Sequence, residues 1–440
     1  MGEIVERALP DVDPRRLLRR GAGGPRGFWA RGDRWIAHAG VARGPDGAVD
    51  LSIEGGHDRL RLLSGLSASV WDQWGTGRLY GGLSFSEAHE PGGVWKGFPP
   101  GRFQLPAVEL VKESGLPGCR LTARGPSVSD AAALADRWGA WLVEAPPPGP
   151  PGREIAAEPS GADRLRWTVT VRRALEEIAS GQVGKVVLAR ALDVSTSGAL
   201  DPAEVACLIW LENPSSHAFL FEPNPGHALV GGAPEVLAHK TGTRVRSTAV
   251  AGSTPVGATP GESTELARRL FDHAKDRAEH DFVVEDMVRK LEELGCSVRR
   301  DVEPHVLTLA RIQHLETKIE AAAPASVSLL DLIEGLHPTP AVCGHPRDRA
   351  HRFLEGHEGL DRGWYAGPVG WVDHLDDGIF VPALRSAVCS GGPWRLFAGA
   401  GIVEGSDPDL EWEETALKFE PVLRALVGAG ASSEILRRVA

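Results

Sequence analysis

The chain has 440 residues, 42% of them hydrophobic and 24% charged, with a formal net charge of −11. This composition excludes global disorder, and a length of 440 at about 100–200 residues per domain suggests two to four units. The acidity argues against a general nucleic-acid binder, which gains affinity by neutralising phosphates, and equally disfavours an acidic small molecule as partner.

At the N-terminus Glu3, Glu6, Asp11 and Asp13 come early and no apolar segment accompanies them. Neither a secretory signal nor a transit peptide is therefore expected. No run approaches ~18 consecutive apolar residues, so no membrane span is expected either. Short, partly alternating segments at 35–42, 48–54, 83–87 and 103–111 predict strands, and 129–144 predicts a helix. The run 145–152, Ala-Pro-Pro-Pro-Gly-Pro-Pro-Gly, reads as a stiff extended connector, because proline fixes φ and removes donors. It separates a β-rich part, 1–150, expected to be scaffold, from a larger part, 160–430.

Beyond the connector, Val171, Ala174, Leu175 and Ile178 fall at helical spacing within 164–180. Lys185 to Arg190 is a β-branched run and predicts a strand. Asp201-Pro202 places an N-cap before a proline at the first helical position, opening a helix to about Leu211. Segments 217–222, 228–231, 236–239 and 244–250 predict an antiparallel meander. Residues 262–294 read as mostly helical. Strands at 363–372, 380–387 and 394–400 precede a helix from about Pro408. Without a βαβ rhythm the fold class is α+β. The five cysteines (119, 207, 296, 343 and 389) are scattered with no CxxC pair, which fits a reducing cytoplasm better than a disulfide framework or a zinc knuckle.

Two acid pairs stand at i, i+3 on predicted helices, Asp276 with Glu279 and Glu411 with Glu414, so each pair shares a helix face. Such faces are ordinarily solvated; two of them brought together would make an oxygen cage for Mg²⁺. Glu411 and Glu414 also follow Asp407-Pro408, where the helix dipole favours acids anyway. The glycines of 397–402 (Phe-Ala-Gly-Ala-Gly-Ile) permit close backbone approach to an anion, or merely a tight strand crossing. Lys185, opening a core strand, either snorkels outward or reaches a polar cavity where its pKa can fall enough for it to act as a base. Glu235, at a turn into a strand, is either a solvated carboxylate or an acid candidate. His314 and His337 lie in apolar surroundings and read as satisfied core residues.

Ten segments in chain order carry a resemblance: KVVLAR (185–190), GGAPE (231–235), AGS (251–253), KDRAEH (275–280), QHLET (313–317), LHPTPAVCGHP (336–346), YAGPVGW (365–371), ALRSA (383–387), AGAGIV (398–403) and EWEETALK (411–418). Together they resemble the chorismate-binding enzyme family, which comprises isochorismate synthases, salicylate synthases and the large subunits of anthranilate and aminodeoxychorismate synthases. The likeness spans roughly 165–425. The first third joins it loosely, through LSFS at 83–86 and FQLP at 103–106.

The resemblance implies one large α+β unit of antiparallel sheets flanked by helices, with the N-terminal third woven in and the proline-rich run a surface crossing. It implies an isochorismate synthase, in which water adds at C2 of chorismate as the C4 hydroxyl departs. Lys185 stands where the water-using branch has its base, and Glu235 would protonate the leaving hydroxyl. Ala341 resembles that branch too, since amine-using relatives tend to have Thr there. Mg²⁺ would be held by Glu279 and Glu414, supported by Asp276 and Glu411. Tyr365, Arg385 and Lys418 resemble contacts to the enolpyruvyl carboxylate. Gly252, Gly399 and Gly401 would offer backbone N–H groups. His314 resembles the histidine beside the ring carboxylate, and Ser253 keeps the hydroxyl of a usual Thr. Tyr365 and Leu384 are shared with relatives that go on to eliminate pyruvate, which leaves salicylate synthase open. A catalytically silent chorismate-binding protein is the remaining alternative. Ile379 replaces a common acid and has no functional account. No glutaminase subunit is implied, and the family likeness implies a monomer. A dianionic substrate then reconciles with the net acidity: net charge governs solubility and steering, whereas four carboxylates can recruit the cation that binds an anion.

Overall fold

The computed structural model describes residues 2–44, 46–56, 58–144, 157–160, 164–433 and 435–436. The proline-rich run at 145–152 lies outside them. Two large antiparallel sheets organise the described residues, one of twelve strands and one of ten. An apolar cluster that includes Trp29, Leu188 and Phe397 of the larger sheet and Tyr80, Trp371 and Ile379 of the smaller lies between them. The outer face of the larger sheet is covered by helices Pro14–Arg20, Pro202–Glu212 and Pro408–Gly428. The outer face of the smaller is covered by Arg59–Trp74, Ala274–Glu293 and Leu329–Leu336. The result is four layers, so central strands are buried on both faces and read as continuous apolar runs rather than alternating ones. Strand Lys185–Thr196, whose first six residues are all buried, is such a case.

Strands of the first third are interleaved with later ones. Arg26–Arg31 pairs with His217–Asn224, and Arg78–Leu83 pairs with Pro368–Asp373. Asp201 caps its helix as expected, its carboxylate accepting from the Ala203 N–H. All five cysteines are buried thiols. No helix among the described residues is long and apolar enough to cross a membrane.

Five expectations are corrected. The expected meander is two hairpins in different sheets: His217–Asn224 with His227–Ala233 belongs to the larger, and Ala238–Thr241 with Arg244–Pro255 to the smaller. Residues 234–237 carry the chain across, starting at Pro234, which cannot donate to a ladder. The run 380–387 likewise divides into Gly378–Pro382 in the smaller sheet and Ser386–Ser390 in the larger. Between them Arg385 adopts φ +48°, which breaks the strand. The strand expected at 83–87 instead ends at Leu83, and the one expected from 363 begins at Pro368, after Ala366 at φ +62°. The helical run 262–294 is two helices, Pro260–Asp272 and Ala274–Glu293, separated by extended His273. Periodicity also passes over elements of the first third, including Glu3–Leu9, Arg26–Arg31 and helix Arg59–Trp74.

Candidate active site

Both sheet crossings open onto one cavity, whose empty space, mouth included, is about 670 Å³. Thirteen of the sixteen expected site residues line it; Lys185, Asp276 and Glu411 do not, and stand behind or beside it. The first crossing supplies Glu235 and the second supplies Leu384 and Arg385, with Tyr365 and Ala341 on neighbouring loops.

One wall is strand Trp394–Ile402, where Gly399 and Gly401 fall two apart and so share a face. A Cβ on Gly399 would come within 3.0 Å of the Tyr365 hydroxyl. One on Gly401 would run into the Glu279 carboxylate and lie 2.9 Å from Lys185 Cε. Lys185 is fully buried directly behind Gly401, and its Nζ lies 3.0 Å from Glu279 Oε1. Burying an ammonium without such a partner would be costly.

Glu235 is buried, and burial pushes its carboxyl up to about 8 against the opposing pull of Lys185, Lys418 and Arg385. At neutral pH it therefore carries a proton to give. Tyr365, stacked on Phe397 at 5.0 Å between centroids, is pushed up to about 12 by burial and stays a neutral donor.

The opposite wall is the pair Arg244–Pro255 and Ile312–Ala322. Gly252, at φ +72°, forms a bulge between Ala251 and Ser253 that sets Ser253 opposite His314. His314 Nδ1 lies 3.0 Å from Gly252 O and 3.1 Å from Ser253 Oγ; its Nε2 lies 2.7 Å from Arg385 Nη2. A carbonyl only accepts and a guanidinium only donates, so the ring is neutral with its proton on Nδ1. Burial, then Arg385 and Lys418, hold its pKa well below the ordinary histidine range. Burial also lowers Arg385 to about 10, although it remains a cation at neutral pH.

The four acids are not gathered into a cage, and among the described residues no three carboxylates, imidazoles or thiols stand ready to hold a metal ion. Each is engaged separately: Asp276 Oδ2 with His273 Nδ1 at 2.7 Å, Glu279 with Lys185, Glu411 Oε1 with Lys275 Nζ at 2.8 Å, and Glu414 Oε1 with Lys418 Nζ at 2.6 Å. Lys418 also donates to Gly399 O at 2.8 Å. The donor set nevertheless suits a hard divalent cation. It is all oxygen, and within each helix pair the charges oppose one another. Burial, and beyond it the neighbouring Glu414, raise the Glu411 carboxyl; burial raises Asp276, with Glu279 adding to the effect.

Lys275 and His273, the partners of two of these acids, have no place in the sequence-based site. Lys275 is adjacent to Asp276 in the KDRAEH segment, yet its contact is 136 residues away, which no spacing rule reports. The apolar walls at Val187, Val342 and Phe397 are likewise absent from it. His337 is a satisfied core residue outside the cavity, its Nε2 3.1 Å from Phe85 O.

Residues 5–427 match the family described as chorismate binding enzyme. The chain is 34% identical over 362 residues to isochorismate synthase MenF of Bacillus subtilis, covering 80% of this chain and 74% of that one. It is 34% identical over 364 residues to the salicylate biosynthesis isochorismate synthase of Pseudomonas aeruginosa, covering 81% and 76%. Among solved structures, the menaquinone-specific isochorismate synthase MenF of Escherichia coli superposes with a TM-score of 0.78 at 27% identity, covering 97% of this chain and 95% of that one. With ten motifs on or around one cavity and a family match spanning 5–427, the chain belongs to the chorismate-binding enzyme family.

Proposed function

We propose that the chain is an isochorismate synthase that converts chorismate to isochorismate with Mg²⁺. The observation that carries this is the pairing of a buried lysine with a buried, protonated glutamate at one cavity: Lys185 behind Gly401, and Glu235 with its carboxyl near 8. An exchange of hydroxyls between two ring carbons needs one group to take a proton and another to give one.

Chorismate enters with its carboxylates towards the cationic and neutral donors Arg385, Lys418 and Tyr365 and towards neutral His314. Lys185 removes a proton from water, whose oxygen adds at C2. Glu235 gives its proton to the hydroxyl leaving C4, so water in balances water out. Each cycle leaves Lys185 as ammonium and Glu235 as carboxylate, and a proton returns from one to the other before the next. The Lys185–Glu279 pair must separate for this, because a base acts as the free amine. Glu279 and Glu414, with Asp276 and Glu411, would hold Mg²⁺, which when bound supplies Lewis-acid polarisation of the substrate. Ala341 at the wall leaves the place where amine-using relatives tend to carry a hydroxyl side chain without one.

The test is incubation of the protein with chorismate and Mg²⁺, read by chromatography. Isochorismate alone is expected. Salicylate with pyruvate would replace the proposal by the salicylate synthase reading, and no turnover at all would overturn both. Lys185→Ala is expected to lower turnover by about 100-fold or more while chorismate still binds.

A further inference from the structure

Strand Lys185–Thr196 is paired along one edge with Trp394–Ile402 from Val186 to Val194. Among the described residues its other edge has two short partners: Gly344–His345 opposite Lys185 and Val186, and Ala157–Ser160 opposite 193–196. Between them no strand among the described residues lies beside the edge. Unmet backbone groups there would be buried and costly.

The Val187 N–H still finds a backbone partner, Cys343 O at 2.8 Å, and beyond that point charged side chains meet the edge. The Ala189 N–H donates to Glu358 Oε1 at 2.7 Å, and Val187 O accepts from Arg362 Nη2 at 2.7 Å. Arg362 Nη1 donates to Val342 O at 2.8 Å, and the Arg362 guanidinium grips Glu358 through Nε at 2.7 Å and Nη2 at 2.6 Å. The rings of Phe85 and Tyr365 lie 4.4 and 5.9 Å from the guanidinium carbon. Val187, Val342 and Tyr365 all line the cavity. Both charged side chains are 4% exposed. A buried ion pair is a poor source of stability, since desolvation consumes much of its attraction. What this one does supply, beside the Val187–Cys343 backbone bond, is a second tie between the strand that begins with Lys185 and the loop that carries Ala341 and Val342.

We propose that Glu358 and Arg362 are positioning residues for the reaction: they replace a missing strand, and so hold the Lys185 strand and the 341–342 wall in register across the cavity. The proposal rests on the isochorismate synthase reading for its kinetic consequence, but not for its structural one.

Arg362→Lys tests it, because an ammonium cannot span Glu358, Val187 and Val342 at once as a planar fork does. A displacement of about 1 Å at a reacting group costs on the order of 100-fold, so kcat is expected to fall by about that factor with KM for chorismate little changed. The pH profile of kcat is expected to move, and amide hydrogen exchange to rise at 187–189. A control is the double variant Arg26→Met/Glu222→Leu, which removes a similarly buried pair (4% and 3% exposed) elsewhere in the larger sheet. Whatever it does to the melting temperature, it should leave kcat, its pH profile and exchange at 187–189 as in wild type. If Arg362→Lys does not fold, Glu358→Gln, which keeps a carbonyl oxygen for Ala189, is read in the same way with a smaller effect. A folded variant with wild-type kcat and pH profile, or unchanged exchange at 187–189, overturns the proposal. Exchange is measured without substrate. A wild-type protein that leaves chorismate untouched therefore refutes the functional reading, while a rise at 187–189 still upholds the strut.

Discussion

Lys185 Nζ lies 3.0 Å from Glu279 Oε1, and the contact depends on Gly401, where any side chain would occupy the space the two share. Gly401→Ala is therefore expected to leave the fold intact, because the atom displaced is the end of a flexible carboxylate. It should push Glu279 off Lys185 and out of the candidate cation site. The expected outcome is a melting temperature close to wild type with a Mg²⁺ requirement raised by about tenfold or more, comparable to the loss of a metal-orienting group. A variant with normal Mg²⁺ dependence would show that Glu279 does not serve the cation.

Glu235 predicts two pH effects. As the proton donor it must be protonated, so turnover is expected to fall as pH rises through about 8, the value to which burial pushes its carboxyl. Stability moves in the same direction. Between the ordinary 4.5 and about 8 the unfolded chain has lost this proton while the folded one keeps it, so this group makes the protein less stable as pH rises across that window. Glu235→Gln cannot ionise and should gain stability relative to wild type over the same window while losing activity. Melting temperatures of the two proteins that run parallel from about pH 4 to about pH 9, across the window of about 4.5–8, would contradict the assignment.

Removal of Mg²⁺ by a chelator is expected to stop turnover and to leave the melting temperature within about 2 °C of the untreated protein. The reason is that Asp276, Glu279, Glu411 and Glu414 each have a protein partner of their own, His273, Lys185, Lys275 and Lys418. A large drop on chelation, followed by differential scanning calorimetry, would assign the ion a structural role instead.

Arg385 is held at φ +48° with its guanidinium on His314 Nε2. Arg385→Lys keeps the charge but loses the planar fork that can serve His314 and a carboxylate together. A lost hydrogen bond to a charged group is worth about 1.5–3 kcal/mol, so kcat/KM for chorismate should fall by roughly tenfold to a hundredfold. Most of that is expected in KM, because the contact is to the bound acid and not to the reacting carbons. Steady-state kinetics separate the two, and an unchanged KM would remove Arg385 from the binding set.

Local signals served well where the physics is local. Asp201-Pro202 announced its helix because an N-cap and a proline at the first helical position act within one turn. They failed where tertiary context decides. The expected meander was divided between two sheets at Pro234, and helix Arg59–Trp74 was passed over, its few buried residues mixed with exposed Leu62 and Leu66. The candidate residues were legible mainly as ordered segments carrying a family resemblance, and thirteen of the sixteen prove to line one cavity.

The sequence by itself determined the mixed α+β class, the family, and which residue types the site could draw on, since residue chemistry and the order of the motifs are written along the chain. Only the tertiary structure decided which charge meets which. Lys275 reaches Glu411 and Lys185 reaches Glu279 because two helices and a strand edge converge there; Glu235 keeps its proton because both sheets bury it. Coulomb energy and desolvation depend on distance and burial, and neither is a function of spacing along the chain.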